Sequence, residues 1–108
     1  MGRLSNQIVA TAISEARKSP HVHSHHGAVL LLKDGHVLRG YNHGLTHAEK
    51  HVVIKAGSRA YDAELVVVRI RADNSLTNSK PCVNCMKLIK KYSLSTWYSN
   101  GEGIVVKL

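Results

Sequence analysis

Residues 45–53 read LTHAEKHVV and residues 79–88 read SKPCVNCMKL. The first stretch sets Glu49 two positions after His47; the second sets both cysteines of the chain, Cys82 and Cys85, three apart directly after Pro81. Each is expected to open a helix. After His47, Ala48, Val52 and Ala56 recur four apart and Gly57 offers a C-terminal stop. Pro81 suits a first helical turn, where its missing N–H is not needed. The helix after it should turn Cys82, Cys85, Met86, Leu88, Ile89 and Tyr92 inward and Lys87, Lys90 and Lys91 outward.

Outward from these stretches, the rest of the chain reads as strands and one more helix. From Arg3 to Lys18 the apolar residues Leu4, Ile8, Val9, Ala12, Ile13 and Ala16 follow helical spacing, and Ser19-Pro20 should end that helix. HVHSHH (21–26) reads as a loop, and GAVLLL and HVLRGYN as a hairpin around Asp34-Gly35. ELVVVRIRA (64–72) is a buried strand. STWYS and IVVKL are joined by NGEG, so short a link that the last two strands must be antiparallel. The predicted order is αββαβαββ, one domain over residues 1–108 with helices packed on a single sheet.

Composition narrows the function. A chain of 108 residues holds one core and has no room for a second module. Runs such as AVLLL and LVVVRI are far shorter than a bilayer span, and no charged-then-apolar leader opens the sequence, so a soluble, unsecreted protein of a reducing compartment such as the cytoplasm is expected, with no membrane partner. Two cysteines at CxxC spacing then point to metal or redox chemistry rather than a disulfide scaffold. Fifteen Lys and Arg against seven Asp and Glu give a net charge of +8, which attracts nucleotides and nucleic acid alike. The charges are spread along the chain, and solvated helix faces account for the short clusters equally well.

Zinc takes tetrahedral nitrogen and thiolate ligands, and a catalytic site draws three from the protein, leaving one position open. Cys82 and Cys85, three apart at a helix start, can point at one ion, where the helix N-terminus favours their thiolates. His47 supplies the third ligand if the two helices lie side by side. Glu49 would then stand near the ion without ligating it, placed to take and deliver a proton.

The H-x-E and P-C-x-x-C motifs, in this order and context, resemble those of the cytidine deaminase-like superfamily. The resemblance extends from GAVLLLKDGHVLRGYNH through THAE and PCVNC to the terminal strands. It implies a three-layer α/β/α fold with a five-stranded mixed sheet, the last strand antiparallel, and hydrolytic deamination on one catalytic zinc. It further implies that His47, Cys82 and Cys85 hold zinc, that Glu49 is the proton-transferring catalytic residue, and that Asn42 of GYN binds substrate. Ala48, His26 and Tyr98 are the other expected substrate contacts, His26 because the fold puts its loop at the pocket entrance.

Two departures bear on the substrate. Free-nucleoside enzymes of this type usually carry an Asn-x-Glu pair that grips the ribose, and position 44 here is Gly. PCVNC also places Val83 and Asn84 where a glycine is usual. The expected substrate is a cytosine-containing nucleoside or nucleotide, with DNA or RNA strands as the alternative. A zinc-stabilised module that binds nucleic acid without catalysis is the rival of another class, and a metal-free redox CxxC protein the weaker third. An uncovered sheet edge or helix face would be hidden in a homo-oligomer.

Overall fold

The computed structural model describes residues 5–108. The first helix, α1 (Asn6–Arg17), begins at Ser5, whose hydroxyl accepts the Ile8 N–H at 3.2 Å. The expected start at Arg3 and Leu4 lies outside the described residues. Next come β1 (His25–Leu31), β2 (Val37–Tyr41), α2 (Ala48–Ala56), a 3-10 turn over Gly57–Ala60, β3 (Glu64–Ile70), β4 (Leu76–Thr77), α3 (Val83–Lys91), β5 (Ser95–Ser99) and β6 (Val105–Lys107). His47 and Cys82 occupy the N-cap positions of α2 and α3; α2 starts where the sequence suggests and Gly57 closes it at φ +59°, whereas Pro81, expected in the first turn of the next helix, lies one residue before its N-cap.

The sheet runs β2-β1-β3-β5-β6, with β4 paired to β3 off that path. β1 is antiparallel to both β2 and β3, β5 is parallel to β3, and β6 is antiparallel to β5 across the short NGEG turn. This is the expected mixed sheet with one addition. The polar stretch 73–80, which the predicted order of elements leaves out, contributes the two-residue β4, which extends the sheet beside Arg69 and Ile70. The other correction is at β1, which starts at His25 rather than Gly27, because His25 and His26 continue the ladder opposite Ile70 and Arg69.

Alternation along the strands divides the core into two layers. Ala28, Leu30, Leu65 and Val67 face α2 and α3 and pack with Val52, Val53, Ala56 and Ile89. Val29, Val66, Val68 and Ile70 face α1 and pack with Ala12 and Ala16. Helices on both faces of a mixed sheet give the three-layer α/β/α arrangement. α1 lies close to β1 because Gly27 has no side chain: a Cβ there would stand 2.0 Å from the Ala12 carbonyl oxygen. No described helix is long and apolar enough to cross a membrane.

This topology fixes where chemistry can occur. β2 and β3 are both antiparallel to β1, hence parallel to each other, and α2 joins the end of one to the start of the other across β1. α3 joins β3 to its parallel neighbour β5. The C-terminal ends of β2 and β3 and the N-terminal end of β1 therefore share one edge of the sheet. Ligand sites of open α/β sheets form at such an edge, beyond the ends of parallel strands.

Candidate metal and active site

At that edge lies a cavity of about 370 Å³ whose lining includes His21, Ser24, His26, Asn42, His47, Ala48, Glu49, Ser79, Lys80 and Cys82. The His47 Nδ1 stands 3.3 Å from the Cys85 Sγ and 3.7 Å from the Cys82 Sγ. All three ligand atoms lie within 4.8 Å of one another. A tetrahedral zinc with ordinary bond lengths separates a nitrogen and a sulfur ligand by about 3.6 Å. The donor set and its spacing thus fit one zinc, with one tetrahedral position left to water or substrate.

Two helices bring these atoms together. His47 precedes the first turn of α2 and Cys82 the first turn of α3, while Cys85 sits one turn into α3 and is buried. In the metal-free protein, burial and the neighbouring Glu49 carboxyl push the Cys85 thiol up, so ionising it needs a compensating cation. Cys82, expected to face inward, is exposed at the cavity wall. The N-cap position turns it out of the apolar stripe of α3.

Glu49 occupies the second position of α2, is 4 % exposed and lines the cavity. Burial raises its carboxyl pKa, opposed by its own backbone N–H and by His47. A buried carboxyl with a raised pKa beside a metal triad is equipped to hold and return a proton.

His26 is held by its backbone: its N–H donates to the Asn42 Oδ1 at 2.9 Å. Burial, Arg69 and His47 lower its pKa to about 4, so its ring is neutral at physiological pH. Asn42 is buried, and its Nδ2 donates to the Ser24 carbonyl at 2.8 Å. Two of the four bonding positions of this amide are therefore occupied by the protein. Ala48 lies in the cavity lining with a first-turn N–H that has no acceptor inside its own helix. Tyr98 does not join these residues. It pairs with Val67 and Val106 in the body of the sheet and packs on the core layer beneath α2 and α3. Trp97 faces the α1 layer, with the Lys107 ammonium 5.9 Å from its ring centroid.

Sequence reasoning missed Ser79 and Lys80, which form the wall just before Cys82. Polar residues before a Pro-Cys pair read as loop, and only the pairing of β4 with β3 brings them to the cavity. His21 lines the cavity as well, and its Nδ1 accepts the N–H groups of His23 (3.3 Å) and Ser24 (3.0 Å). The neutral ring accordingly carries its proton on Nε2.

The family described as the cytidine and deoxycytidylate deaminase zinc-binding region matches residues 3–100. The chain belongs to this family of zinc-dependent deaminases. Among solved structures it is similar to cytidine deaminase from Burkholderia pseudomallei, with a TM-score of 0.77 and 22% identity over 98% of this chain and 92% of that one. Cytidine deaminase from Mycobacterium leprae gives a TM-score of 0.67 and 18% identity over 94% and 91% of the two chains. The dCMP deaminase of cyanophage S-TIM5 gives 0.58 and 19% over 94% and 90%. At these identities the likeness concerns the fold. No curated protein sequence matches the chain.

Proposed function

We propose that the protein hydrolyses the exocyclic amino group of a cytosine-type base, giving uracil and ammonia, on free cytidine or deoxycytidine or on their nucleotides. The observation that carries this reading is the placement of buried Glu49 in the cavity lined by His47 and Cys82, which converge with Cys85. When bound, zinc makes hydroxide available near neutral pH and polarises the reacting centre. Glu49 would take a proton from the attacking water and pass it to the ring nitrogen beside the amino-bearing carbon, then take the second proton, from the added hydroxyl, and deliver it to the amine, which leaves as ammonia as the carbonyl forms. The free N–H of Ala48 offers a donor to the base, and the unused bonding positions of Asn42 offer contacts to the sugar. The neutral ring of His26 lines the cavity without adding charge.

Gly44 leaves the rim of the cavity open where a ribose-gripping side chain is expected, and nothing lies within 4 Å of the place its Cβ would take. Together with Lys80 in the lining and a net charge of +8, this favours a second reading, a cytosine within a DNA or RNA strand. The fully exposed Leu45 beside that glycine and the exposed Val83 are also places where a second copy of the chain would be accommodated in a homo-oligomer.

The test measures ammonia release by zinc-loaded protein from deoxycytidine, deoxycytidine monophosphate and a single-stranded oligonucleotide in parallel. Turnover of either small substrate, lost in Glu49→Gln, is expected. Activity on the oligonucleotide alone transfers the proposal to strands. Nucleic-acid binding that Glu49→Gln leaves unchanged, with no turnover by either protein, favours the non-catalytic module.

A further inference from the structure

At the cavity edge the sheet forks. β3 pairs with β5 as far as Val67 and Tyr98, and two residues later Arg69 is opposite Thr77 of β4 instead. Backbone groups at such a fork lose their ladder partners and need others. Two buried hydroxyls supply them. The Ser99 Oγ accepts the Arg69 N–H at 3.1 Å and donates to the Thr77 carbonyl at 2.6 Å. The Ser79 Oγ accepts the Ser99 N–H at 2.8 Å and lies 3.0 Å from the Val67 carbonyl, and the Ser79 N–H donates to the Ser99 carbonyl at 2.7 Å.

The two hydroxyl oxygens are 2.8 Å apart. Each serine has one hydroxyl proton. Thr77 takes that of Ser99, so Ser79 is the donor wherever the two hydroxyls bond each other. Ser79 and Ser99 are 3 % and 0 % exposed, so no water substitutes readily for either. The pair ties β3, β4 and β5 to the segment that runs through Lys80 and Pro81 to Cys82.

We propose that Ser79 and Ser99 are positioning residues for the metal centre: their clasp sets where Cys82 stands relative to His47 and Cys85. Cys82 needs such a support. Like His47 it is exposed, and it lies outside the packed face of α3 with no side-chain hydrogen bond to its own helix. Cys85 is buried one turn into α3, and the segment before Cys82 is joined to the sheet through Ser79. Supports of this kind commonly contribute tenfold to hundredfold to metal affinity.

The inference rests on the zinc reading of the site, and the test separates the two. Zinc affinity of the purified full chain is measured by competition with a chromophoric chelator, and the thiolate bands of the cobalt(II)-substituted protein are recorded. Wild type, Ser79→Ala, Ser99→Ala and Thr96→Val are compared. Thr96→Val is the control, since it removes another buried hydroxyl of β5, one that donates only to the Leu94 carbonyl.

Both serine variants should bind zinc roughly 10- to 100-fold more weakly with altered cobalt bands, while Thr96→Val matches wild type whatever its metal-free melting temperature. Serine variants with wild-type affinity and bands overturn the proposal, as does a loss no larger than that of Thr96→Val at equal loss of metal-free stability. Should Ser79→Ala not fold, Ser99→Ala decides, because it keeps the Ser99 N–H bond to the Ser79 hydroxyl. Wild-type protein that takes up no zinc refutes the site assignment itself and needs no variant to show it.

Discussion

The Nδ1 of His47 meets the Sγ of Cys85 at 3.3 Å although the residues are 38 positions apart. Two crossovers produce the meeting, one carrying α2 across β1 and the other carrying α3 to β5. Since a zinc site of this kind draws three ligands from the protein, each should be required: His47→Ala, Cys82→Ser and Cys85→Ser are expected to lose stoichiometric zinc, read by elemental analysis after gel filtration. Zinc uptake should also release protons, because burial holds the Cys85 thiol protonated in the metal-free protein. Affinity must then fall as the pH is lowered, which competition titrations at several pH values will show.

Glu49 lies beside the triad without belonging to it. Glu49→Gln should keep zinc and lower the turnover number by roughly a hundred- to ten-thousand-fold, the usual contribution of a positioned acid or base. Loss of zinc together with activity would instead make Glu49 a ligand or a structural support.

The same residue makes stability depend on pH. Burial raises the Glu49 carboxyl above its ordinary range in the metal-free fold. A raised acid favours folding while protonated. That contribution is complete below the unfolded value and is lost as the pH climbs through the folded one. Gln cannot ionise, so in chelator Glu49→Gln should melt close to wild type in acid and increasingly above it towards neutral pH. A melting difference that does not change with pH would contradict the assignment.

Gly27 tests the packing of α1. An added Cβ would meet the Ala12 oxygen at 2.0 Å and the Ala16 nitrogen at 2.5 Å, both backbone atoms that cannot rotate away. Gly27→Ala should destabilise the protein by roughly 1–3 kcal/mol or more, the cost of overpacking a filled core. Denaturant unfolding measures it, with Gly101→Ala as a comparison at a glycine that has open space and no left-handed backbone.

How far the sequence discloses this molecule depends on whether a signal is local. The helix starts at His47 and Cys82 are legible because Ala48, Val52 and Ala56 repeat at helical spacing and Pro81 marks the other start. The antiparallel last pair is legible because NGEG is too short for anything else. Strand β4 and the extension of β1 to His25 are not, since two or three polar residues become strand only when a neighbour offers a ladder. Tyr98 misleads for the same reason: a ring near a strand end reads as pocket-lining until the register places it opposite Val67. Ser79 and Ser99 carry no local sign of their pairing, which exists only where the sheet forks.

Zinc-edge X-ray absorption on the purified protein tests the convergence of the triad most directly. The account predicts stoichiometric zinc in a four-coordinate shell of two sulfur scatterers at about 2.3 Å and two lighter ones at about 2.0–2.1 Å, one of them with the outer-shell pattern of an imidazole. A shell without sulfur, one with four sulfurs, or a protein that carries no zinc would contradict it.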